Sequence, residues 1–115
     1  MISVDALQEF FSDTRQKNAD GGKPWSIDDT CRWSFFFVDE DGDALEPVAQ
    51  HMESLGYTVV DITEPDDDED PFFYLQVDKV EQHTPASLQA RVMELYAIAE
   101  QFGIADYDGM NVTAA

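Results

Sequence analysis

Arg32-Trp33-Ser34-Phe35-Phe36-Phe37-Val38 is the stretch on which the fold turns. In an extended chain successive side chains point to opposite faces. Trp33, Phe35 and Phe37 therefore share one face, and Ser34, Phe36 and Val38 the other. Both faces carry bulky apolar groups, the pattern of a strand with neighbours on either side rather than one at a sheet edge.

Outward from this strand the chain alternates helix and strand signals. Asp41-Gly42-Asp43 turns the chain, and Asp43 is the expected cap of a helix, with Glu46 three residues on. Leu45, Val48, Ala49, Met52 and Leu55 form the apolar stripe of that helix, and Gly56 ends it. Tyr57–Thr63 reads as a strand rich in β-branched residues. Seven of the ten residues from Asp61 to Asp70 are acidic, and Pro65 and Pro71 bracket the densest part. Phe72–Val80 reads as a third strand, with Phe73, Leu75 and Val77 toward the core. Thr84 and Pro85 open a last helix as N-cap and first-turn proline. Its stripe is Leu88, Val92, Leu95, Ala99 and Phe102, and Gly103 stops it. Residues 106–112 fit a short final strand. On the other side, residues 3–16 predict a helix capped by Ser3, with Val4, Leu7 and Phe11 on one face. Residues 18–31 hold turn formers and read as a linker pinned by Trp25 and Ile27.

After the leading helix the order is β-α-β-β-α-β. That order predicts an α+β, ferredoxin-like domain: a four-stranded antiparallel sheet with two helices on one face, plus the extra N-terminal helix. The Arg32–Val38 and Phe72–Val80 strands are its expected central pair. Residues 1–31 form the N-terminal helix and linker, and 32–115 the domain. The expected core is Phe35, Phe37, Val59, Phe73, Leu75, Val77, Leu88, Val92 and Leu95. If the outer face of the sheet is apolar, the leading helix or a second copy is its simplest cover.

The 115 residues include 25 acidic and 6 basic ones, a formal charge of −19. Hydrophobic residues make up 43%, enough to build a core, so the acidity does not signal disorder. Three of the bases lie before residue 24; beyond it Arg32, Lys79 and Arg91 face 21 acids. Such a field repels nucleic-acid phosphates and anionic lipid and attracts cationic protein surfaces. Direct nucleic-acid binding and membrane binding are therefore not expected, even though Phe36 and Tyr74 offer aromatics to the outer sheet face. Cys31 is the only cysteine, so no internal disulfide forms. The N-terminus lacks the basic and apolar regions of a secretory signal, and no apolar run reaches the ~18 residues of a membrane span, so the cytoplasm is the expected compartment.

Catalytic signatures are missing: the chain holds no GxGxxG, Walker loop, GxSxG or HExxH. His51 and His83 sit on different elements. Cys31 at a strand edge reads as a small packed residue. Asp39, Asp41 and Asp43 alternate like the start of an EF-hand loop, but Gly42 precedes the third ligand and Gln50 stands where the closing glutamate belongs. No metal and no cofactor are expected.

Ala99-Glu100-Gln101-Phe102 followed by Tyr107-Asp108-Gly109-Met110 resembles the end of the RraB family, the regulators of ribonuclease E activity B. Members close their last helix in a similar way and continue into a Tyr-Asp-Gly-Trp strand. Tyr107, Asp108 and Gly109 match, and Met110 replaces the tryptophan. Leu55-Gly56-Tyr57 before a valine-rich strand, and the aromatic strand running into an acidic helix start, are similar too. The likeness spans roughly residues 30–113. It implies a ferredoxin-like domain that binds ribonuclease E and inhibits its RNA cleavage.

The resulting expectation is a non-enzymatic acidic regulator that docks on a basic protein partner, with ribonuclease E the candidate. Asp66, Asp67, Asp68, Glu69 and Asp70 are the first expected contacts, followed by Asp39, Glu40, Asp41 and Asp43. They would pair with Arg or Lys and occupy sites that RNA phosphates use. The alternatives are an acidic adaptor or immunity-type protein for another basic partner, and a metal-dependent module built on the carboxylate clusters. The pattern specifies no oligomeric state.

Overall fold

Each apolar run of the sequence becomes one element in the computed structural model, which describes residues 3–65 and 71–115. In chain order these are α1 (Val4–Asp20), β1 (Cys31–Asp39), α2 (Gly42–Ser54), β2 (Thr58–Thr63), β3 (Phe73–Glu81), α3 (Pro85–Phe102) and β4 (Asp106–Ala114). The protein is α+β. Its strands form one antiparallel sheet in the order β2-β3-β1-β4. β1 and β3 hold the inner positions, as the two-sided apolarity of β1 requires.

Trp33, Phe35 and Phe37 are fully buried and share one core with Leu75, Val77, Leu88 and Leu95. Of the expected core residues, Val59 and Phe73 are half-buried and pack against this core rather than within it. Both lie on or beside the β2 edge of the sheet. The α2 stripe of Leu45, Val48, Ala49 and Met52 is buried in the same cluster. Leu55, expected in that stripe, is 47% exposed. It is the C-cap of α2 rather than a residue of its last turn, and so points away from the core.

Three further local readings are corrected. Asp41, not Asp43, caps α2: its side chain accepts the Asp43 amide at 3.0 Å, which puts Gly42 first in the helix. Gly42 suits that place for a second reason, because a Cβ there would stand 2.7 Å from the Phe73 ring. α1 runs to Asp20 rather than residue 16. The side-chain amide of buried Asn18 donates to the Trp25 carbonyl and holds the last turn of α1 to the loop that follows. Finally, α1 does not cover the outer face of the sheet. Leu7 and Phe11 are buried with the Trp33 side, and the Phe11 ring stacks on Trp33 at 6.1 Å.

Candidate functional site

Strand direction brings the acidic segments to one end of the sheet. Asp39 pairs with Phe73, Thr63 with Tyr74, and Val38 with Asp106. The β1–α2 turn, the two ends of the β2–β3 connection and the α3–β4 loop therefore all lie at this end. Asp66, Asp67, Asp68, Glu69 and Asp70 belong to that connection but lie outside the described residues.

The four carboxylates at 39–43 do not have equal duties. Asp39 accepts the Asp41 amide at 2.9 Å and, with its other oxygen, the Ala105 amide at 2.8 Å. It thereby ties the β1–α2 turn to the α3–β4 loop, sixty-six residues apart in the chain. Asp41 is the helix cap. Glu40 and Asp43 are exposed, and neither supplies a side-chain oxygen to these backbone contacts.

The Tyr107-Asp108-Gly109 motif lies on the edge strand β4 at a register shift. Phe37 pairs with Tyr107 and Phe36 with Gly109, which leaves Asp108 as the extra residue of a β-bulge. Tyr107 is buried against Phe37 and Tyr96, at ring distances of 5.9 and 5.2 Å. Its hydroxyl has no hydrogen-bond partner among the described residues, and burial pushes its pKa well above the ordinary tyrosine range. Beside it, α1, α3 and β4 border an open cavity of about 270 Å³, lined by Phe10, Val92, Tyr96 and residues 107–110 of β4. Tyr96 also lines a second hollow, with Glu100, Ile104 and Asp106.

The sequence reading missed a half-buried ionic cluster at the opposite end of β3. Glu81 holds the Arg91 guanidinium through both oxygens, at 3.1 and 2.8 Å, and meets the His83 Nε2 as well. The other ring nitrogen of His83 faces the Ser87 hydroxyl at 2.9 Å. Burial alone would raise the Glu81 pKa, but the hydrogen bonds from His83 and Arg91 outweigh it and lower it to about 2. Ser, His and Glu in a row resemble a nucleophilic triad. Here, however, Ser87 accepts the Thr84 amide at 2.8 Å within the capping box of α3, and Glu81 is neutralised by Arg91. The trio is a clamp between β3 and α3. The usable signal was Glu81-x-His83, two polar residues on one side of a strand end, with a lone arginine in the apolar helix that follows.

Among the described residues, no group of three His, Cys, Asp or Glu is placed to hold a metal ion, and no helix is long and apolar enough to cross a membrane. A family model described as regulator of ribonuclease activity B, RraB, matches residues 9–112. No curated protein matches the chain.

Proposed function

The chain belongs to the RraB family of regulators of ribonuclease activity, and from that premise we propose that it is a non-enzymatic cytoplasmic inhibitor that docks its acidic end on the basic surface of ribonuclease E. The observation that supports this reading is that the β1–α2 turn, the ends of the β2–β3 connection and the start of β4 lie at one end of the sheet, the first and last of them joined by the Asp39 bridge to Ala105. Carboxylates in that place neutralise Arg and Lys that would otherwise meet RNA phosphates. The inhibitor then competes with RNA without touching it, as a chain of charge −19 must. The β2-β3-β1-β4 order supports a ferredoxin-like description of residues 32–115, with residues 1–31 as the added helix and linker.

Contacts are assigned to Asp66, Asp67, Asp68, Glu69 and Asp70, with Glu40 and Asp43 beside them. Asp39 and Asp41 share the surface but hold backbone amides, so a test should leave them intact. Single exposed ion pairs contribute only about 0–1 kcal/mol, so one substitution is too small a change. The informative variant carries Asn at 43, 66, 67, 68 and 70 and Gln at 40 and 69. Surface plasmon resonance against ribonuclease E from the same organism, across a salt series, should show slower association and a flatter salt dependence than the parent. RNA cleavage should be correspondingly less inhibited. Equal rates and salt slopes for variant and parent would reject the acidic end as the interface, and a parent that does not bind would reject ribonuclease E.

A further inference from the structure

The cavity beside the Tyr107-Asp108-Gly109 bulge has chemistry that the acidic end lacks. Phe10 from α1, Tyr96 from α3 and Tyr107 from β4 supply three aromatic rings, and the exposed Asp108 supplies a carboxylate. A second hollow, on which Tyr96 also borders, adds Glu100 and Asp106. No lysine, arginine or histidine lines either one. One carboxylate in an aromatic cavity and two in the hollow beside it, with no cation among the lining residues, are complementary to a positive charge.

Size narrows the occupant. A volume of about 270 Å³ lies just below the roughly 300–1,000 Å³ of small-molecule sites, and fits one long side chain. Chemistry narrows it further. A guanidinium is planar, stacks on aromatic faces and pairs with a carboxylate through a fork of donors. An ammonium has the charge without the plane. The molecule already uses this pairing internally, with the Arg91 guanidinium 5.7 Å from the Tyr57 ring centre.

We infer that the α3–β4 groove binds an extended, arginine-bearing segment of a protein partner, with one arginine side chain seated in the cavity between Phe10 and Tyr96 and paired with Asp108. The inference deepens the proposed docking on a basic ribonuclease surface and rests on that reading for its biological partner. The second hollow adjoins the acidic end, because Asp106 opens β4 opposite Val38 and the neighbouring Ala105 is held by Asp39. Long-range attraction would then come from the acidic end, and selection of arginine over lysine from the cavity. The site also gives α1 a role, since without Phe10 it loses a wall.

The test uses the full chain, labelled with nitrogen-15, and three short peptides that alternate serine with arginine, lysine or leucine. Nuclear magnetic resonance titration should place the largest shifts for the arginine peptide at Tyr107, Asp108, Gly109 and Met110. That peptide should bind about fivefold tighter than the lysine peptide, a cation–π preference of modest size. Asp108→Asn changes an exposed side chain and should leave the melting temperature unchanged while lowering arginine-peptide affinity about fivefold. Phe10→Leu keeps an apolar wall and should erase the arginine preference. Equal binding of arginine and lysine peptides, shifts confined to residues 39–43, or an Asp108→Asn variant that binds like the parent would each overturn the inference, as would equal binding of the leucine peptide. Ribonuclease E binding by the same variants separates the two readings. A ribonuclease that binds parent and variants alike removes the groove but keeps the acidic end. Arginine-peptide binding in the cavity without any ribonuclease binding removes the partner but keeps the groove.

Discussion

Glu81 joins two partners from different segments, Arg91 on α3 and His83 in the loop before it. It accepts from Arg91 and contacts His83, both of which pack into the helix–sheet interface, and His83 lies edge-on to the Trp33 ring at 5.3 Å. Removing its charge strands two polar partners in a half-buried place. Glu81→Gln should therefore cost about 2–4 kcal/mol at neutral pH, read by urea unfolding. Its pH dependence follows from the lowered pKa. A carboxyl at about 2 in the folded state and near its ordinary 4.5 in the unfolded state stabilises the fold fully above pH 4.5 and loses that contribution as pH falls toward 2. Part of the parent's acid unfolding should thus fall in that window, and the Glu81→Gln variant should show a flatter acid limb. A variant with the parent's acid profile would mean that Glu81 does not carry it. Tyr107 presents the opposite case. Its buried hydroxyl is unpaired among the described residues, and an unsatisfied buried group is costly. Tyr107→Phe keeps the ring and should leave stability equal or raise it by up to about 1 kcal/mol. A clear loss would show that the hydroxyl has a partner in solution.

At the scale of elements, α3 shows what the sequence could and could not convey. Its 4-3-4-3 apolar spacing, Thr84 cap, Pro85 and Gly103 were all legible, and the helix runs from Pro85 to Phe102 with Gly103 in the left-handed conformation that glycine adopts freely. Leu95 on that stripe is fully buried. Leu95→Ala should cost about 2–5 kcal/mol by denaturant unfolding, and a loss under about 0.5 kcal/mol would put the residue on the surface. Helix ends were less legible where the deciding contact is tertiary. Asn18 reads as a turn former in isolation, but it is buried in α1 because its amide finds the Trp25 carbonyl. Asp41 and Asp43 are both plausible caps by residue type, and the ring of Phe73 against Gly42 is a contact made across the sheet that no local pattern encodes. The same limit applies to the candidate site. The acidic residues of the β1–α2 turn could be picked out one by one, and the Tyr107-Asp108-Gly109 motif by resemblance. The bulge at Asp108, the Phe10 wall and the Glu81 clamp depend on register and on packing between distant segments.

Over the whole molecule the dominant fact is uncompensated charge. The chain carries −19, and much of its small basic complement is spent in local pairs. Arg15 is bonded to Asp28 at 2.6 Å, Arg91 to Glu81 and Glu94 at 2.8 Å, and Arg32 lies 4.0 Å from Asp78. None of these pairs reaches the acidic end, where Asp39, Glu40, Asp41, Asp43 and Asp106 meet. Charges so arranged repel one another, and that repulsion opposes the compact state. The screening length is about 30 Å at 0.01 M salt and about 8 Å at 0.15 M, so at low salt the whole acidic surface interacts and at moderate salt only near neighbours do. Raising sodium chloride over that range should therefore raise the melting temperature, measured by circular dichroism, and the gain should level off once the screening length falls below the spacing of the carboxylates. The variant neutralised at 40, 43 and 66–70 should be more stable than the parent at low salt and should respond less to added salt. A cationic partner relieves the same repulsion, so the stabilisation that an arginine peptide confers should shrink over the same salt range in which the free protein gains. A melting temperature that is flat or falling with sodium chloride would mean that the folded chain already compensates its charge, and the acidic end would then lose its claim to be held ready for a basic surface.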